Sequence, residues 1–243
     1  SSISYLKGLG SISEKVNRII SISSEILNDL NDSSLDKKEM INAAKYSKND
    51  LCSEIVNEFP ELQGVMGGKY LINEGFSENV SLAVAEHYYP RFYKDKLPSS
   101  KYGAILSISD KLETIISIFI IGKRPSGSSD PYALRRNLNG IIQIIWQYDF
   151  NLKLDHLISK SLNYWKSENN ELNINYENVC MDLVEFANQR VINHLEDLSF
   201  NKQLIKAIWE SESLRHLNKL DIEDIKKRIN IIEKFKKGKN YKA

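Results

Sequence analysis

The chain has 243 residues, 42% of them hydrophobic and 27% charged, which excludes a disordered or fibrous polypeptide and leaves a globular protein with room for two modest cores. No apolar run is long enough to span a membrane: the most apolar stretch, 105–121, is interrupted by Asp110, Lys111 and Glu113 and predicts a buried helix, with no membrane partner. Net charge is only +1, yet residues 91–136 carry nine Lys/Arg against four Asp/Glu and residues 226–242 carry eight against one, leaving −11 for the remainder; such segregation is the electrostatic footprint of a nucleic-acid binder.

The N-terminus, SSISYLKGLGSISEK, lacks the apolar core of a signal peptide, and starting at Ser1 it is expected to be cut from a longer chain. Val16, Ile19, Ile20, Ile26, Leu27 and Leu30 recur at helical spacing and predict a helix over 13–30. Val16, not Glu, stands three residues after Ser13, so no capping box is expected. A second helix is expected over 35–59, with Met40, Ala43, Ala44, Leu51, Ile55 and Val56 inward and Pro60 ending it. The next, over 61–73, contains Gly64, Gly67 and Gly68. Each glycine costs a helix about 1 kcal/mol, so their presence predicts a close backbone approach. Ser77 caps a helix that Pro90 stops, and the basic, aromatic connector RFYKDKLP follows.

After the buried helix comes GKRPSGSSDPYALRR, residues 122–136. Pro125 and Pro131 fix two φ angles while Gly122 and Gly127 admit conformations that a Cβ resists, so this is a shaped loop. Asp130 as N-cap and Pro131 at the first position predict a helix starting at Tyr132 and running to 148. Residues 149–154 read as a domain boundary, and 154–165, 176–198, 201–210 and 221–235 as four further helices, with 167–175 a polar surface loop. With no repeat and no period-two alternation, the class is all-α.

Lys123, Arg124, Arg135 and Arg136 converge on one turn and form a candidate seat for phosphate; a solvated loop paired with carboxylates is the competing reading. Tyr88, Tyr89, Phe92 and Tyr93 interleave with Arg91 and Lys94, a mixture that stacks on bases or packs as an aromatic corner with snorkelling cations. Arg190, flanked by apolar neighbours, reaches RNA or solvent. Trp146, Trp165 and Trp209 read as core. Asp50, Glu54, His87 and Asp110 fall on three predicted helices and suggest a metal-dependent phosphohydrolase, but His87 is the only histidine among them; His156, His194 and His216 lie in the second half. Cys52 and Cys180, without CxxC spacing, read as reduced core thiols. GxSxG, GxxxxGK[ST] and GxGxxG are absent, and no catalytic or metal residue is assigned.

EFPELQGVMGGKY (58–70), AVAEHYYPR (83–91), SDKLETIISIF (109–119) and PSGSSDPYALRR (125–136) resemble the beta subunit of the bacterial-type tetrameric glycyl-tRNA synthetase, over almost the whole chain. The resemblance implies a cytoplasmic, tRNA-binding partner of a separate alpha subunit in an α2β2 glycine–tRNA ligase. ATP and Mg are then used by the holoenzyme and no cofactor by this fragment, which would not be catalytic alone. It implies an HD-like helical domain over 1–150 and the start of a DALR-type anticodon-binding domain over 151–243. Hydrolytic HD proteins carry an H…HD…D set. Here Ser47-Lys48-Asn49-Asp50 stands where the HD pair would, so its His is missing, while His87 and Asp110 match later ligand positions and imply a degenerate, non-hydrolytic scaffold. The family loop usually reads PTGSKDPFALRR; Ser126 and Ser129 replace its Thr and Lys, removing one cation. The chain is expected to end before the anticodon-binding domain is complete. Two alternatives remain open: a working HD-type metal phosphohydrolase, and a purely structural subunit whose basic tail is incidental.

Overall fold

The computed structural model describes residues 3–92, 94–168, 174–210 and 221–237, and among these every regular element is helical; Tyr93, His216, part of the 167–175 loop and the basic residues after 237 lie outside them. Helix α1 (Ile12–Leu30) starts one residue earlier than its apolar spacing suggests. Ser11, not Ser13, is the N-cap, and a capping box does form: the Ser11 hydroxyl accepts from the Glu14 amide (3.2 Å) while the Glu14 carboxylate accepts from the Ser11 amide (2.6 Å).

The predicted helix over 35–59 is broken into α2 (Lys37–Tyr46), a 3₁₀ turn (Asn49–Cys52) and α3 (Glu54–Glu58). Lys48 and Asp50 explain the break. Both are buried and both must point inward, but residues two apart on an α-helix face away from one another, so the chain leaves the helix between them. The consequence reaches downstream: Met40, Ala43, Ala44 and Val56 are buried as expected, whereas Leu51 is only partly covered, Ile55 is exposed, and Cys52 is an exposed free thiol, not a core one. Cys180 is partly buried and also free.

Pro60 opens a second 3₁₀ turn (Pro60–Leu62), and α4 (Val65–Asn73) then packs on α5 (Glu78–Glu86), which Ser77 caps through the Val80 amide. The glycines earn their place at this contact. A Cβ on Gly68 would sit 2.6 Å from the Ser81 carbonyl oxygen, and one on Gly67 2.9 Å from Val84 Cγ1. Helix α6 (Lys101–Ile120), buried on all sides, is the central element: only Lys101 and Thr114 of its 20 residues escape burial. Around it pack α1, α2, α5, α7 (Leu134–Tyr148), α8 (Leu154–Glu168) and α9 (Tyr176–Asp197). Helices α10 (Lys202–Trp209) and α11 (Ile222–Lys237) close the far side, α11 against α7. The buried core runs from Leu9 through Phe150, Leu152 and Leu154 to Ile229. Trp165 is buried, and Trp146 and Trp209 lie partly covered against the core.

Candidate nucleic-acid interface

The loop before α7 is shaped by its own backbone. Gly122 and Gly127 take φ of 75° and 49°, and Ser126 and Ser129 exchange both N–H···O bonds (3.1 and 2.8 Å) across a tight turn. Helix α7 begins two residues later than its sequence suggests, at Leu134, because Asp130–Ala133 forms a turn closed by the Ala133 amide on the Asp130 carbonyl (3.1 Å) and Ala133 adopts φ 55°. The N-cap is therefore Ala133 and not Asp130, although the Asp130 carboxylate still serves the helix end: its two oxygens accept from the Leu134 and Arg135 amides at 2.8 and 2.9 Å. That helix end already holds an anion, so an incoming phosphate meets side-chain cations here and not free amides.

The expected RNA-contacting cations divide into two sets. Arg124 is held by the chain itself, with Nη2 on Asp182 (2.7 Å), Nη1 on the Phe119 carbonyl (2.7 Å) and its guanidinium over the Phe119 ring. Arg91 donates to the carbonyls of Glu61 and Gln63, both at 2.8 Å, and fastens the connector to the α3–α4 turn. Arg190 is bonded to Asn139 on α7. Lys94 is exposed, at φ 62°. Lys123 and Arg136 are exposed and Arg135 is half-buried, and among the described residues none of the three side chains has a hydrogen-bond or ion-pair partner. Tyr88 and Tyr89 are occupied by the protein's own cations, Lys48 and Lys96 at 4.0 and 4.4 Å from their ring centroids, which leaves Phe92 as the exposed ring among the described residues of that stretch.

Sequence reasoning missed a buried ionic network around α6. Lys15 and Arg18, three residues apart on the inner face of α1, both reach Glu113, and Lys15 also meets Asp110 at 3.2 Å. Lys48 Nζ stands between His87 Nε2 (2.8 Å) and Asp110 Oδ2 (2.7 Å). Lys111 is cradled by the carbonyls of Tyr88 (3.2 Å) and Tyr89 (2.9 Å) and by the Ser107 hydroxyl (2.7 Å). The available signal was the i, i+3 pair of cations on an otherwise apolar face, together with acids inside the most apolar helix.

This donor set does not fit a divalent metal. An ammonium already fills the space between His87 and Asp110, a second one shares the same carboxylate, and Asp50 turns away to accept from the Gly64 and Gly67 amides (2.7 and 3.2 Å). Glu54, the fourth candidate ligand, is exposed. Burial opposes charge on Asp110, but Lys48 and Lys15 outweigh it and hold the carboxyl well below its ordinary range. Burial opposes charge on Lys15 likewise, yet Glu113 and Asp110 raise its ammonium above the usual value.

Burial, then the neighbouring Lys48, pushes His87 well below its ordinary value. Its bonding agrees: Nδ1 lies 2.6 Å from the Val84 carbonyl and must donate, so Nε2 carries the lone pair that accepts from Lys48. Above about pH 6.5 His87 is neutral folded or unfolded; below it only the unfolded chain gains a proton, so stability falls as the pH drops. Urea unfolding at pH 7.5 and 5.5, run in a His194→Asn background because burial also lowers His194, is expected to show a loss of about 1 kcal/mol from His87, to which Lys111, lowered by burial to about 7, adds in the same direction. Equal stability at the two pH values would mean that His87 protonates as readily folded as unfolded.

Among the described residues no helix is long and apolar enough to cross a membrane. A family model described as the glycyl-tRNA synthetase beta subunit matches residues 1–210. The glycine–tRNA ligase beta subunit of Thermodesulfovibrio yellowstonii is 36% identical over 240 residues, covering 98% of this chain and 33% of that protein. Its counterpart from Clostridioides difficile is 37% identical over 230 residues, 93% of this chain and 33% of that one, and that from Halothermothrix orenii 46% identical over 160 residues, 66% and 23%. The chain thus spans about a third of the length of the curated relatives it matches in full. Matched across 210 of its residues by the family model and along nearly its whole length by such relatives, this chain belongs to the glycyl-tRNA synthetase beta subunit family.

Proposed function

We propose that this chain is a tRNA-holding part of a glycyl-tRNA synthetase beta subunit, which positions tRNA(Gly) for a catalytic site on a separate alpha subunit of an α2β2, ATP- and Mg-dependent ligase in the cytoplasm. Residues 1–150 would be the HD-like domain and 151–243 the start of the anticodon-binding domain. One observation carries the reading: Lys15, Arg18, Lys48, Arg91, Arg124 and Lys111 are all matched by the protein's own acceptors, whereas Lys123 before the loop and Arg135 and Arg136 in the first turn of α7 have none among the described residues. Cations left unmatched beside a fixed turn suit a polyanion. The HD-type phosphohydrolase reading is disfavoured by Lys48, whose ammonium takes the place a divalent ion would need between His87 and Asp110.

Replacing Lys123 and Arg136 together by glutamine is expected to weaken tRNA binding roughly tenfold near 0.1 M salt and to flatten the slope of log K against log salt by about two. Neither side chain has a hydrogen-bond or ion-pair partner among the described residues, so thermal stability should not change. Unaltered affinity and slope would remove this loop from the RNA interface.

A further inference from the structure

We propose that Arg135 and Arg190 clamp a single phosphodiester of the RNA between α7 and α9, with Arg190 held in position by Asn139 and Asn193. The clamp rests on the RNA-binding reading above and narrows it to one phosphate. Arg135 and Asn139 are four residues apart on α7 and so share a face. Arg190 Nε and Nη2 both donate to Asn139 Oδ1, at 3.2 and 3.0 Å. Asn193, with its amide turned to satisfy its neighbours, accepts from Arg190 Nη1 at 3.1 Å. Three of the five guanidinium N–H groups are thus committed to neutral amide oxygens. One remains on each terminal nitrogen, the pair that meets two phosphate oxygens end-on.

The charge around this pair is uncompensated at short range. Among the described residues no carboxylate comes within ion-pair distance of either guanidinium, and Asp130, the acid nearest Arg135 in sequence, is turned onto the amides of Leu134 and Arg135. Burial disfavours charge on Arg190; Asp197, without forming an ion pair, favours it, and Arg135 opposes it by a smaller amount, so burial decides the direction. Arg124 shows the contrast on the same side of α9: there Asp182 supplies the anion. A guanidinium held by amides, on the helix face that also carries Arg135 and with no carboxylate in ion-pair reach among the described residues, is stabilised by an anion from outside.

The test is titration of tRNA onto the 243-residue chain at several salt concentrations, with Arg135→Gln, Arg190→Gln, the double variant and Arg190→Lys. Each glutamine variant is expected to bind roughly tenfold more weakly and to lower the salt slope by about one, and the double variant to lose no more slope than either single, because both residues hold the same phosphate. Arg190→Lys keeps the charge without the fork and should fall between. Slope losses that add to about two in the double variant would overturn the shared clamp and leave RNA binding intact, as would undiminished affinity in Arg135→Gln. Failure of the unaltered chain to bind tRNA at any salt concentration would sink both. Arg135 has no hydrogen-bond or ion-pair partner among the described residues, so its variant decides the matter even should Arg190→Gln lower the melting temperature.

Discussion

Asp110→Asn is expected to destabilise the chain by about 3–5 kcal/mol, the usual cost of removing one partner from a buried ionic group. The substitution keeps shape and volume and removes only the charge. What it leaves behind is the reason for the size of the effect: Lys48 and Lys15, both almost wholly buried, lose the carboxylate that they share at 2.7 and 3.2 Å. Lys15 retains Glu113, but Lys48 retains only the His87 ring nitrogen and the face of Tyr88. Against a total stability of about 5–15 kcal/mol for an ordinary domain, such a loss approaches unfolding at room temperature. Denaturant midpoints of the two chains measure it directly. A loss below about 1 kcal/mol would mean that Lys48 discharges or escapes to water when Asp110 is neutralised, and that the network does not hold α2, α5 and α6 together. Removing Asp110 with Lys48, as in Lys48→Met with Asp110→Leu, should cost less than Asp110→Asn alone, since apolar replacement of a buried pair is often neutral.

Gly68→Val is expected to cost about 3 kcal/mol, reversing the sign that helix propensity alone would give for filling a mid-helix glycine. An ordinary helical glycine gains roughly 1 kcal/mol when replaced by alanine. At Gly68 the first added carbon already lies 2.6 Å from the Ser81 carbonyl oxygen and 2.9 Å from Ala85 Cβ, and neither neighbour is the end of a flexible side chain. Helices α4 and α5 must therefore separate. Gly140 is the internal control: a Cβ there meets Lys111 Cε and Pro90 Cγ at 3.1 Å, contacts that a lysine stem can relieve in part, so Gly140→Ala should cost less. Thermal melts of the two variants compare them. If Gly68→Val melts with the unaltered chain, the α4–α5 contact is looser than these distances state.

The glycine reading shows how much was legible before any coordinates. Three glycines in a helical stretch predict a close approach, and the α4–α5 contact is that approach. The all-α class, the burial of the 101–120 helix, the cap at Ser77 and the four C-terminal helices within a few residues of their bounds were equally readable, because apolar spacing, caps and prolines are local properties of the chain. Errors arose where a local signal competed with a distant partner. The Ser11 cap was overlooked one turn upstream of the first apolar residue used for spacing, and the long helix over 35–59 ignored the need of Lys48 and Asp50 to face the same interior. Cys52 became exposed by that same break.

Which cations are free was not legible at all. Arg91, Arg124 and Arg190 read in sequence like Arg135 and Arg136, yet the first three are bound by residues 28, 58 and 51 positions away. The same holds for Lys48, whose carboxylate lies 62 residues further on. Residue order alone determined the helical class, the shaped loop, the uneven charge and the family likeness, since each follows from neighbours a few positions apart. Only the packing of α1, α2 and α5 around α6, and of α7 against α9, decided which charges are neutralised inside and which are left facing outward, because a partner for a buried charge is chosen by three-dimensional proximity and the penalty for lacking one is several kcal/mol.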